Sequence, residues 1–460
     1  MNDYQGNTLM TVPAAQEAEE KISVRDAWPL LAKVASKNPP ARCVRPTSVD
    51  QVSEILRHAR DVGEVVVTAG GRSGVCGAVV ASQCDILLDM TGLDRIIAID
   101  ELNRTVTVEA GVFGGALEQK LGELGYTCGH YPQSLEISTV GGWLATRGIG
   151  TFSNKYGGIE HLVVGCEVVL ADGSPLVLGG PPRSAAGPRL LELFLGSEGA
   201  FGVITKVTLR IFPKAQSLLL RAYALPTLRS GINAARDLFG QHAVPALLRI
   251  YDAAESQHLY EKVGMRGNEP LVIVGHEGAA KIVEAEESVT KDILLSHGAR
   301  YLGSEIGEAW SVGRYHAEWL ARGNARADQI ADSIEVSVPW ANLMPLYERV
   351  MSMISPETTW SMAHLSHFYS TGSMFYFIFG IDDVDPERLI ARYTSVWEIV
   401  QTQALEFGGT CTHHHGVGAV RRDFFRRELG EVGIRTLRGI KHAFDPQGIL
   451  NPAALGLAQG

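Results

Sequence analysis

Three glycine-rich segments in the first half of the chain constrain its fold more than any other feature. The first, TAGGRSGVCG (68–77), directly follows a β-branched run, VVV. A glycine-rich turn after a strand exposes successive backbone N–H groups, which suits the binding of a pyrophosphate. The segment has neither P-loop spacing nor a G-x-G-x-x-G fingerprint, and taken alone it is explained equally well as a structural turn.

The other two segments add features that a simple turn does not need. GHYPQSLEISTVGGWLATR (129–147) carries small residues and hydroxyls that let a flat ring system lie close to the backbone. GSEGAFGVIT (196–205) is another tight turn that leads into a strand. Together with the first segment they form an ordered set that chance explains poorly.

Composition excludes several classes of protein. The net charge is −10 and Lys and Arg are not clustered, so nucleic acid is not expected as a partner. The cysteines form no C-x-x-C pair, which argues against a zinc site and a disulfide framework and favours reduced, buried thiols. The N-terminus does not read as a secretory signal, and no apolar run approaches the ~20 residues of a membrane helix. We therefore expect a cytoplasmic protein without a membrane span.

The pattern of predicted strands and helices changes along the chain, which predicts more than one domain. The length of 460 residues predicts the same. Residues 48–62 predict an amphipathic helix, because Ser48 and Gln51 have capping-box spacing. Short strands and a second helix at 114–124 follow, ending in a strand at 202–213. After Pro213, apolar strands alternate with long helical stretches such as 276–297 and 386–407. We interpret this second half as a domain that covers the substrate.

In order and spacing, the three glycine-rich segments resemble the FAD-binding domain of the FAD-linked oxidase family, within the vanillyl-alcohol-oxidase (PCMH-type) superfamily. The resemblance spans residues 42–213 almost continuously and implies an α+β fold: a PCMH-type FAD-binding domain plus an α+β substrate (cap) domain. The implied division is an N-terminal segment 1–41, an FAD-binding domain 42–213, a cap domain 214–405 and a C-terminal segment 406–460. The C-terminal segment is expected to pack back on the FAD domain.

The resemblance also implies which residues hold the cofactor. The pyrophosphate would lie near 70–77, the flavin ring near 134–142 and the adenine side near 199–204. The expected cofactor-binding residues are Gly70, Gly71, Arg72, Ser73, Gly74, Val75, Gly77, Pro132, Gln133, Ser134, Thr139, Gly141, Gly142, Thr146, Glu198, Gly199, Gly202, Val203 and Ile204. Relatives with covalently attached flavin often have a histidine in the first loop, where this chain has Arg72-Ser73-Gly74. We therefore predict non-covalent FAD, with Cys76 as a packing residue.

Within the family, several segments resemble those of alkyldihydroxyacetonephosphate synthase. They are the second glycine-rich segment with the following NKYGGIEHL, the strand ADSIEVSVPW (331–340), the tyrosine-bearing strand SHFYSTGSMFYFIFG (366–380) and the triple-histidine segment HHHGVGAVRRDF (413–424). Tyr131 and Gln133 depart from the synthase pattern, which favours acidic residues there, and GIGTF follows the ATR segment in place of a small and basic run. These departures leave the FAD prediction intact but put the substrate in doubt.

The candidate catalytic residues are Tyr376, His413, His414 and His415. Histidine titrates near neutrality and suits proton removal, and Tyr376 on an apolar strand needs a hydrogen-bond partner, which a cleft beside flavin N5 would supply. In an extended segment His413 and His415 would share a face opposite His414. A solvated loop or an adventitious metal site is the alternative interpretation of the triplet.

Other residues have less specific signals. His364 and His367 could be metal ligands, but no carboxylate-rich partner set is evident, so we predict no metal. Tyr369, Trp340 and Trp143 are interpreted as packing residues. Arg147, Arg314 and Arg322 are candidates for binding a substrate carboxylate or phosphate, with surface salt bridges as the alternative.

Three functions are compatible with this sequence, each with a small-molecule substrate. The first is an FAD-dependent oxidoreductase acting on a hydroxy acid, alcohol or ether, with hydride transfer to flavin N5 and a histidine or tyrosine taking the hydroxyl proton. The second is a synthase-like transferase that forms an ether-lipid precursor through a flavin N5 adduct. The third is a non-enzymatic flavoprotein, which leaves the histidines and Tyr376 without a purpose. A homodimer is the default expectation for the assembly.

Overall fold

The computed structural model describes residues 11–12, 41–79, 84–314 and 328–457. Its first half is built on two sheets, with strand orders β1-β2-β4-β3 and β5-β6-β10-β8-β9, and a small β7-β11 pair. The strands are β1 (Thr11–Val12), β2 (Arg42–Val44), β3 (Val66–Ala69), β4 (Ile86–Asp89), β5 (Ile96–Asp100), β6 (Thr105–Glu109), β7 (Tyr126–Thr127), β8 (Val163–Val169), β9 (Pro175–Gly179), β10 (Val203–Arg210) and β11 (Phe212–Pro213). The helices are α1 (Val49–Val62), α2 (Gly114–Glu123), α3 (Val140–Thr146), α4 (Ser153–Tyr156), α5 (Ile159–Leu162) and α6 (Leu191–Phe194).

Helix α1 shows how the sequence determines an element in this half. The Ser48 hydroxyl accepts a hydrogen bond from the backbone N–H of Gln51, and Gly63 ends the helix in a left-handed conformation with φ +76°. Serine is common at the start of a helix, because its oxygen satisfies an unpaired N–H. Glycine is common at the end, because it adopts positive φ without strain. Strands β2, β4 and β3 pair in parallel beside this helix. The predicted helix at 48–62 is confirmed.

The second half is organised around one seven-stranded sheet with strand order β15-β12-β14-β13-β17-β18-β16. Its strands are β12 (Ser217–Ala224), β13 (Leu247–Tyr251), β14 (Leu271–Gly278), β15 (Arg300–Gly303), β16 (Gln329–Pro339), β17 (Trp360–Tyr369) and β18 (Gly372–Asp382). The helices are α7 (Leu228–Gly240), α8 (Ala253–Lys262), α9 (Ala280–Ser296), α10 (Glu305–Gly313), α11 (Leu343–Ile354), α12 (Pro386–Glu406) and α13 (Arg422–Phe444). The α+β class predicted from the sequence is confirmed.

One face of this sheet holds the core of the second half. Phe375, Phe377 and Phe379 of β18 are fully buried in a cluster with residues of α7, α11 and α12. Burying each such side chain stabilises the fold by about 1.5–3 kcal/mol. Because alternate strand residues point to opposite faces, the side chains between these phenylalanines point toward the first half of the molecule.

The C-terminal segment connects the two halves. After α12 the chain forms a loop at 410–418 and then α13, which breaks at Gly430 with φ +69°. Beyond α13, Leu450 forms an isolated parallel bridge with Val66, and the Asn451 side chain donates to the carbonyls of Ala78 and Glu198. These contacts join the C-terminal segment to the first half, and the predicted domain division stays a prediction.

Two predicted elements differ from the structure at their ends. The helical stretch predicted at 276–297 begins at Ala280, because His276–Gly278 continue strand β14. The strand predicted at 161–173 spans Val163–Val169 and is preceded by the short helix α5. None of the helices in the described residues is long and apolar enough to cross a membrane.

Candidate active site

A row of polar side chains crosses the face of the seven-stranded sheet that points to the first half. Glu335 on β16 is in register with Tyr376 on β18, and Tyr376 is in register with His364 on β17. Residues directly opposite each other on neighbouring strands have side chains on the same face. The sheet thus places an acid, a phenol and an imidazole side by side.

Glu335 holds the histidine loop in place. Its Oε1 accepts hydrogen bonds from the backbone N–H groups of His413, His414 and His415, at 3.2, 3.2 and 2.9 Å. The Arg421 guanidinium forms an ion pair with the same carboxylate, and both side chains are completely buried. Burial alone would raise the pKa of Glu335, but Arg421 and His415 hold that pKa well below its usual value. A buried anion therefore sets the course of the loop.

A second carboxylate, from the first half of the molecule, holds the end of the loop. Glu198 Oε1 accepts from the backbone N–H groups of Val417 and Gly418, at 2.7 and 3.0 Å. Burial raises the pKa of Glu198 to about 7 despite these bonds. The loop is therefore anchored to the sheet of the second half and to the third glycine-rich segment.

Each of the first two histidines contacts a tyrosine. Tyr376 Oη lies 2.7 Å from His414 Nε2 and 3.4 Å from His415 Nε2. Tyr369 Oη lies 2.6 Å from His413 Nε2. His413 Nδ1 and His414 Nδ1 are 2.9 Å apart. The four predicted catalytic residues thus meet, and they are joined by Tyr369.

The predicted arrangement of the histidines was wrong in one respect. His413 and His415 were expected on one face, opposite His414, as in an extended segment, yet His414 and His415 both approach Tyr376. The backbone curls here because three successive N–H groups converge on one carboxylate oxygen. Successive N–H groups that form such a concavity around an anion are incompatible with extended backbone.

The surroundings keep the imidazoles of His413 and His414 neutral. Burial lowers the pKa of His413 to about 4, and burial with the neighbouring His415 and His413 holds the pKa of His414 well below its usual value. Burial raises the pKa of the Tyr376 hydroxyl above its usual range. Neutral imidazole can accept a proton, whereas a phenol with a raised pKa resists losing one, so His414 is the better base of this pair.

His364 and Arg249 extend the polar row. His364 Nδ1 bonds to Glu255 at 2.8 Å, and its Nε2 lies 2.7 Å from Arg249 Nη2. Arg249 also donates to the Tyr251 hydroxyl at 2.6 Å and lies over the Trp310 ring. Both ring nitrogens of His364 are therefore engaged in hydrogen bonds. His367 bonds through Nδ1 to Ser153 of the first half and stacks on His413.

The arginines predicted to bind substrate lie in different surroundings. Arg147 follows α3 with φ +51°, its side chain is half exposed, and it lies 3.9 Å from Glu160. The Arg314 guanidinium lies over the rings of Tyr131 and Phe152. Arg322 lies outside the described residues. Arg249, which sequence reasoning did not single out, contacts the polar row through His364.

The glycine-rich segments converge next to the histidine loop. A Cβ at Gly70 would meet Thr139 Oγ1 and one at Gly71 would meet the Ile137 carbonyl, so the first and second segments touch. A Cβ at Gly199 would lie 3.6 Å from Thr68, so the third segment touches the first. The backbone N–H of Ala419 donates to the Cys76 carbonyl at 2.7 Å and ties the histidine loop to the first segment.

The individual residues of these segments have diverse environments. Val203 and Ile204 are buried in strand β10, where they pair with Val169 and Val168. Thr139 caps α3 by accepting from Gly142 N, and Thr146 Oγ1 donates to the Gly142 carbonyl. Gly141 packs on Ala110, Arg72 lies 4.0 Å from Asp89, and Gln133 is exposed. The remaining predicted members line the same loops: Gly77, Pro132, Ser134 and Gly202.

The first segment has the properties of a phosphate-binding loop. Among the residues that the structure describes, the backbone N–H groups of Ser73, Gly74 and Val75 have no hydrogen-bond acceptor. A Cβ built on Gly74 meets nothing within 4 Å. Unpaired N–H groups in a partly buried loop require an acceptor, which the pyrophosphate of FAD can supply. The residues present therefore fit FAD.

Two family models match consecutive parts of the chain. The model described as "FAD binding domain" matches residues 40–179, and the one described as "FAD linked oxidases, C-terminal domain" matches residues 213–455. The second covers the polar row and the histidine loop. The chain belongs to the FAD-linked oxidases.

Proteins similar to this FAD-linked oxidase carry different names. An alkyldihydroxyacetonephosphate synthase of Dictyostelium discoideum is 29% identical over 451 residues, covering 91% of this chain and 74% of the relative. An uncharacterized FAD-linked oxidoreductase of Escherichia coli K12, YgcU, is 32% identical, covering 90% and 89%. A probable mitochondrial D-lactate dehydrogenase of Danio rerio is 28% identical, covering 90% and 84%.

A solved structure supports the same family. An alkyldihydroxyacetonephosphate synthase superimposes with a TM-score of 0.75 at 26% identity, covering 90% of this chain and 76% of that one. The prediction of a PCMH-type FAD-binding fold with a second α+β domain is thereby confirmed, as is the prediction of an FAD-linked oxidoreductase.

Sequence reasoning missed several residues of this FAD-linked oxidase site. Glu335 and Arg249 each stand alone as a charge in an otherwise apolar strand, in SIEVSV and ALLRIY. A charge on a buried strand requires a buried partner, so both were detectable in principle. Tyr369 gave no such signal, because an aromatic residue at a strand end is explained equally well by packing.

Proposed function

We propose that this protein oxidises a small hydroxy acid, removing a hydride from its hydroxyl-bearing carbon and a proton from the hydroxyl group. The observation that carries the proposal is the contact between Tyr376 Oη and the neutral His414 at 2.7 Å. The hydroxyl can hydrogen-bond a substrate oxygen while His414 accepts the proton. FAD, when bound by the glycine-rich segments, supplies the acceptor for the hydride.

The environment of Arg249 favours an acidic substrate. The residue is 9% exposed, and among the described residues it forms no ion pair with a carboxylate. Its acceptors are Tyr251 and His364, and Glu255 is reached only through His364. A buried guanidinium without a direct counter-ion is costly, and a substrate carboxylate would satisfy it with two parallel hydrogen bonds. The name of the D-lactate dehydrogenase relative agrees with this choice.

Anaerobic mixing tests the proposal directly. The holoprotein is mixed with a series of small 2-hydroxy acids and with the matched alcohols that lack the carboxylate. We expect the visible band of oxidised flavin to bleach with at least one acid and at least tenfold more slowly with its alcohol, because charge-assisted bonds are each worth about 1.5–3 kcal/mol. A band that persists with every acid contradicts the proposal.

A transferase is the second candidate, favoured by the likeness to the synthase over 91% of the chain. It would exchange the acyl chain of acyl-dihydroxyacetone phosphate for an alkyl chain without net oxidation. Incubation with this ester and a radiolabelled fatty alcohol separates the two functions. Labelled ether product with no bleaching by hydroxy acids favours the transferase.

FAD attachment is proposed to be non-covalent. The Cys76 side chain is 2% exposed and burial raises the pKa of its thiol, so the reactive thiolate is disfavoured. Acid precipitation is expected to release the yellow colour into the supernatant, whereas a yellow pellet would indicate a covalent bond. The homodimer stays a prediction, which light scattering of the purified holoprotein can test.

A further inference from the structure

A chain of hydrogen-bonded side chains leads from the buried end of the polar row to the protein surface. Three contacts connect it, at 2.7, 2.9 and 2.6 Å. The members, in order, are Tyr376, His414, His413 and Tyr369. Tyr376 is mostly buried, whereas Tyr369 is 38% exposed, so the chain has one inner and one outer end.

We propose that these four side chains form a proton relay, through which the substrate's hydroxyl proton leaves the active site. The proposal rests on the proposed function for the origin of the proton and adds a role for His413 and Tyr369. Sequence reasoning assigned Tyr369 to packing, and no step of the chemistry at Tyr376 itself needs it.

The geometry leaves two arrangements of the protons, which differ in the direction of every donor. Two neutral imidazoles that face each other through Nδ1 atoms 2.9 Å apart share a single proton between those atoms. If His414 carries it, His413 carries its own proton on Nε2, directed at Tyr369 Oη. Tyr376 then donates to His414 Nε2, and the Tyr369 hydroxyl donates to solvent. Every contact in the chain has one donor and one acceptor.

One proton can pass outward along this arrangement without leaving a charge inside. As the substrate O–H bond breaks, its proton binds Tyr376 Oη and the tyrosine proton moves to His414 Nε2. The proton on His414 Nδ1 moves to His413 Nδ1, and the one on His413 Nε2 moves to Tyr369 Oη. Tyr369 releases its own proton to water. Both imidazoles end as the opposite neutral tautomers, ready to return one proton inward.

The lowered pKa values of His413 and His414 fit such a relay, since neither histidine traps the proton as a stable imidazolium. The outer end is also suitably placed. Burial raises the pKa of Tyr369, the charge of the nearby Glu160 raises it further, and the charge of the nearby Arg147 lowers it. The side chains of Arg147 and Glu160 are 50% and 26% exposed, so solvent reaches the outer end of the chain.

Tyr369→Phe is the decisive variant, because it removes the outer hydroxyl and keeps the ring. Bleaching of the holoprotein by substrate is followed together with proton release, using an indicator dye in weak buffer. We expect bleaching to slow by about 10²-fold, the usual scale of a proton-transfer step, with recovery on addition of imidazole buffer. Tyr376→Phe removes the inner hydroxyl of the chain. We expect bleaching of this variant to slow without recovery on addition of imidazole. Tyr126→Phe, at a partly buried tyrosine whose hydroxyl bonds to Glu101, serves as the matched control.

A second measurement does not depend on turnover. Histidine ¹⁵N chemical shifts of the protein without substrate report the tautomers of His413 and His414. We expect opposite tautomers in the wild type and mixed tautomers for His413 in Tyr369→Phe. The relay is rejected if Tyr369→Phe bleaches at the wild-type rate, if imidazole fails to restore it, or if both histidines carry the same tautomer. Failure of every hydroxy acid to bleach the wild type would instead reject the proposed function, and the ¹⁵N shifts would still test the relay.

Discussion

Glu335 and Arg421 form an ion pair from which water is completely excluded, and the Glu335 carboxylate also orders the histidine loop. Breaking a buried pair leaves an uncompensated charge and costs about 3–5 kcal/mol. We predict that Glu335→Gln lowers the free energy of unfolding by this amount in urea titrations. Activity per folded molecule should also fall, because the amide oxygen binds the loop N–H groups less strongly than a carboxylate does.

The exposed pair Arg229–Glu348 is the matched control for this effect. Its side chains are 57% and 59% exposed, so Arg229→Ala should change stability by about 0–1 kcal/mol. Equal losses in the two variants would contradict the importance assigned to the buried pair.

His414→Ala should remove the proton acceptor and leave the cofactor site intact. We predict a fall in kcat of about 10²–10⁴-fold, the usual contribution of a general base. Flavin content, measured from the absorbance ratio of the purified protein, should stay near wild type because the glycine-rich segments are untouched. A large loss of flavin with unchanged kcat per flavin would assign His414 a structural role.

Gly74→Ala tests the proposed pyrophosphate loop. The new Cβ meets no atom of the described residues within 4 Å and needs no positive φ, so the fold without FAD should be as stable as wild type. We expect FAD to bind at least tenfold more weakly in fluorescence titrations, because the methyl group occupies space next to the unpaired N–H groups. Gly439→Ala, also without a neighbour within 4 Å, is the control for a neutral substitution. Unchanged FAD affinity in Gly74→Ala would indicate that the pyrophosphate binds elsewhere.

Arg249→Met should separate substrate binding from flavin binding. The methionine keeps much of the buried volume but cannot donate to a carboxylate, so we expect KM for the hydroxy acid to rise more than tenfold, as the loss of a charge-assisted bond worth about 1.5–3 kcal/mol implies. Rates with the matched alcohol should change little. Steady-state kinetics on both substrates measure the difference, and an equal effect on the two would mean that Arg249 does not bind the acid group.

Stability should depend on pH through Glu198. Its pKa is about 7 in the folded protein, above the usual 4.5, so the folded state holds a proton that the unfolded state releases between these values. Its contribution to stability is complete below pH 4.5 and is lost as pH rises through 7. We predict that Glu198→Gln, which cannot titrate, gains in stability relative to wild type across this interval. Chemical unfolding at pH values from 5 to 8 measures the trend, and parallel curves would contradict it.

Local patterns predicted the elements of this fold well, and long-range contacts less well. Helix α1 follows from the cap at Ser48 and the stop at Gly63, both of which act over a few residues. The glycine-rich segments were recognisable because tight turns and close backbone contacts restrict a sequence to few residue types. The curl of the histidine loop was not predictable, since it depends on Glu335, which is 78 residues away in sequence from His413. Cross-sheet register, rather than local periodicity, brings Glu335, Tyr376 and His364 together.

Anchoring of the histidine loop at both ends limits how such proteins can be recombined. Glu335 comes from the second half and Glu198 from the first, while the loop itself follows both in the chain. A chimera joined near residue 213 would take its loop from one parent and the Glu198 anchor from the other. Such a hybrid would inherit an intact FAD site and an intact sheet and still misplace its histidines, so these three parts of the chain must be exchanged together.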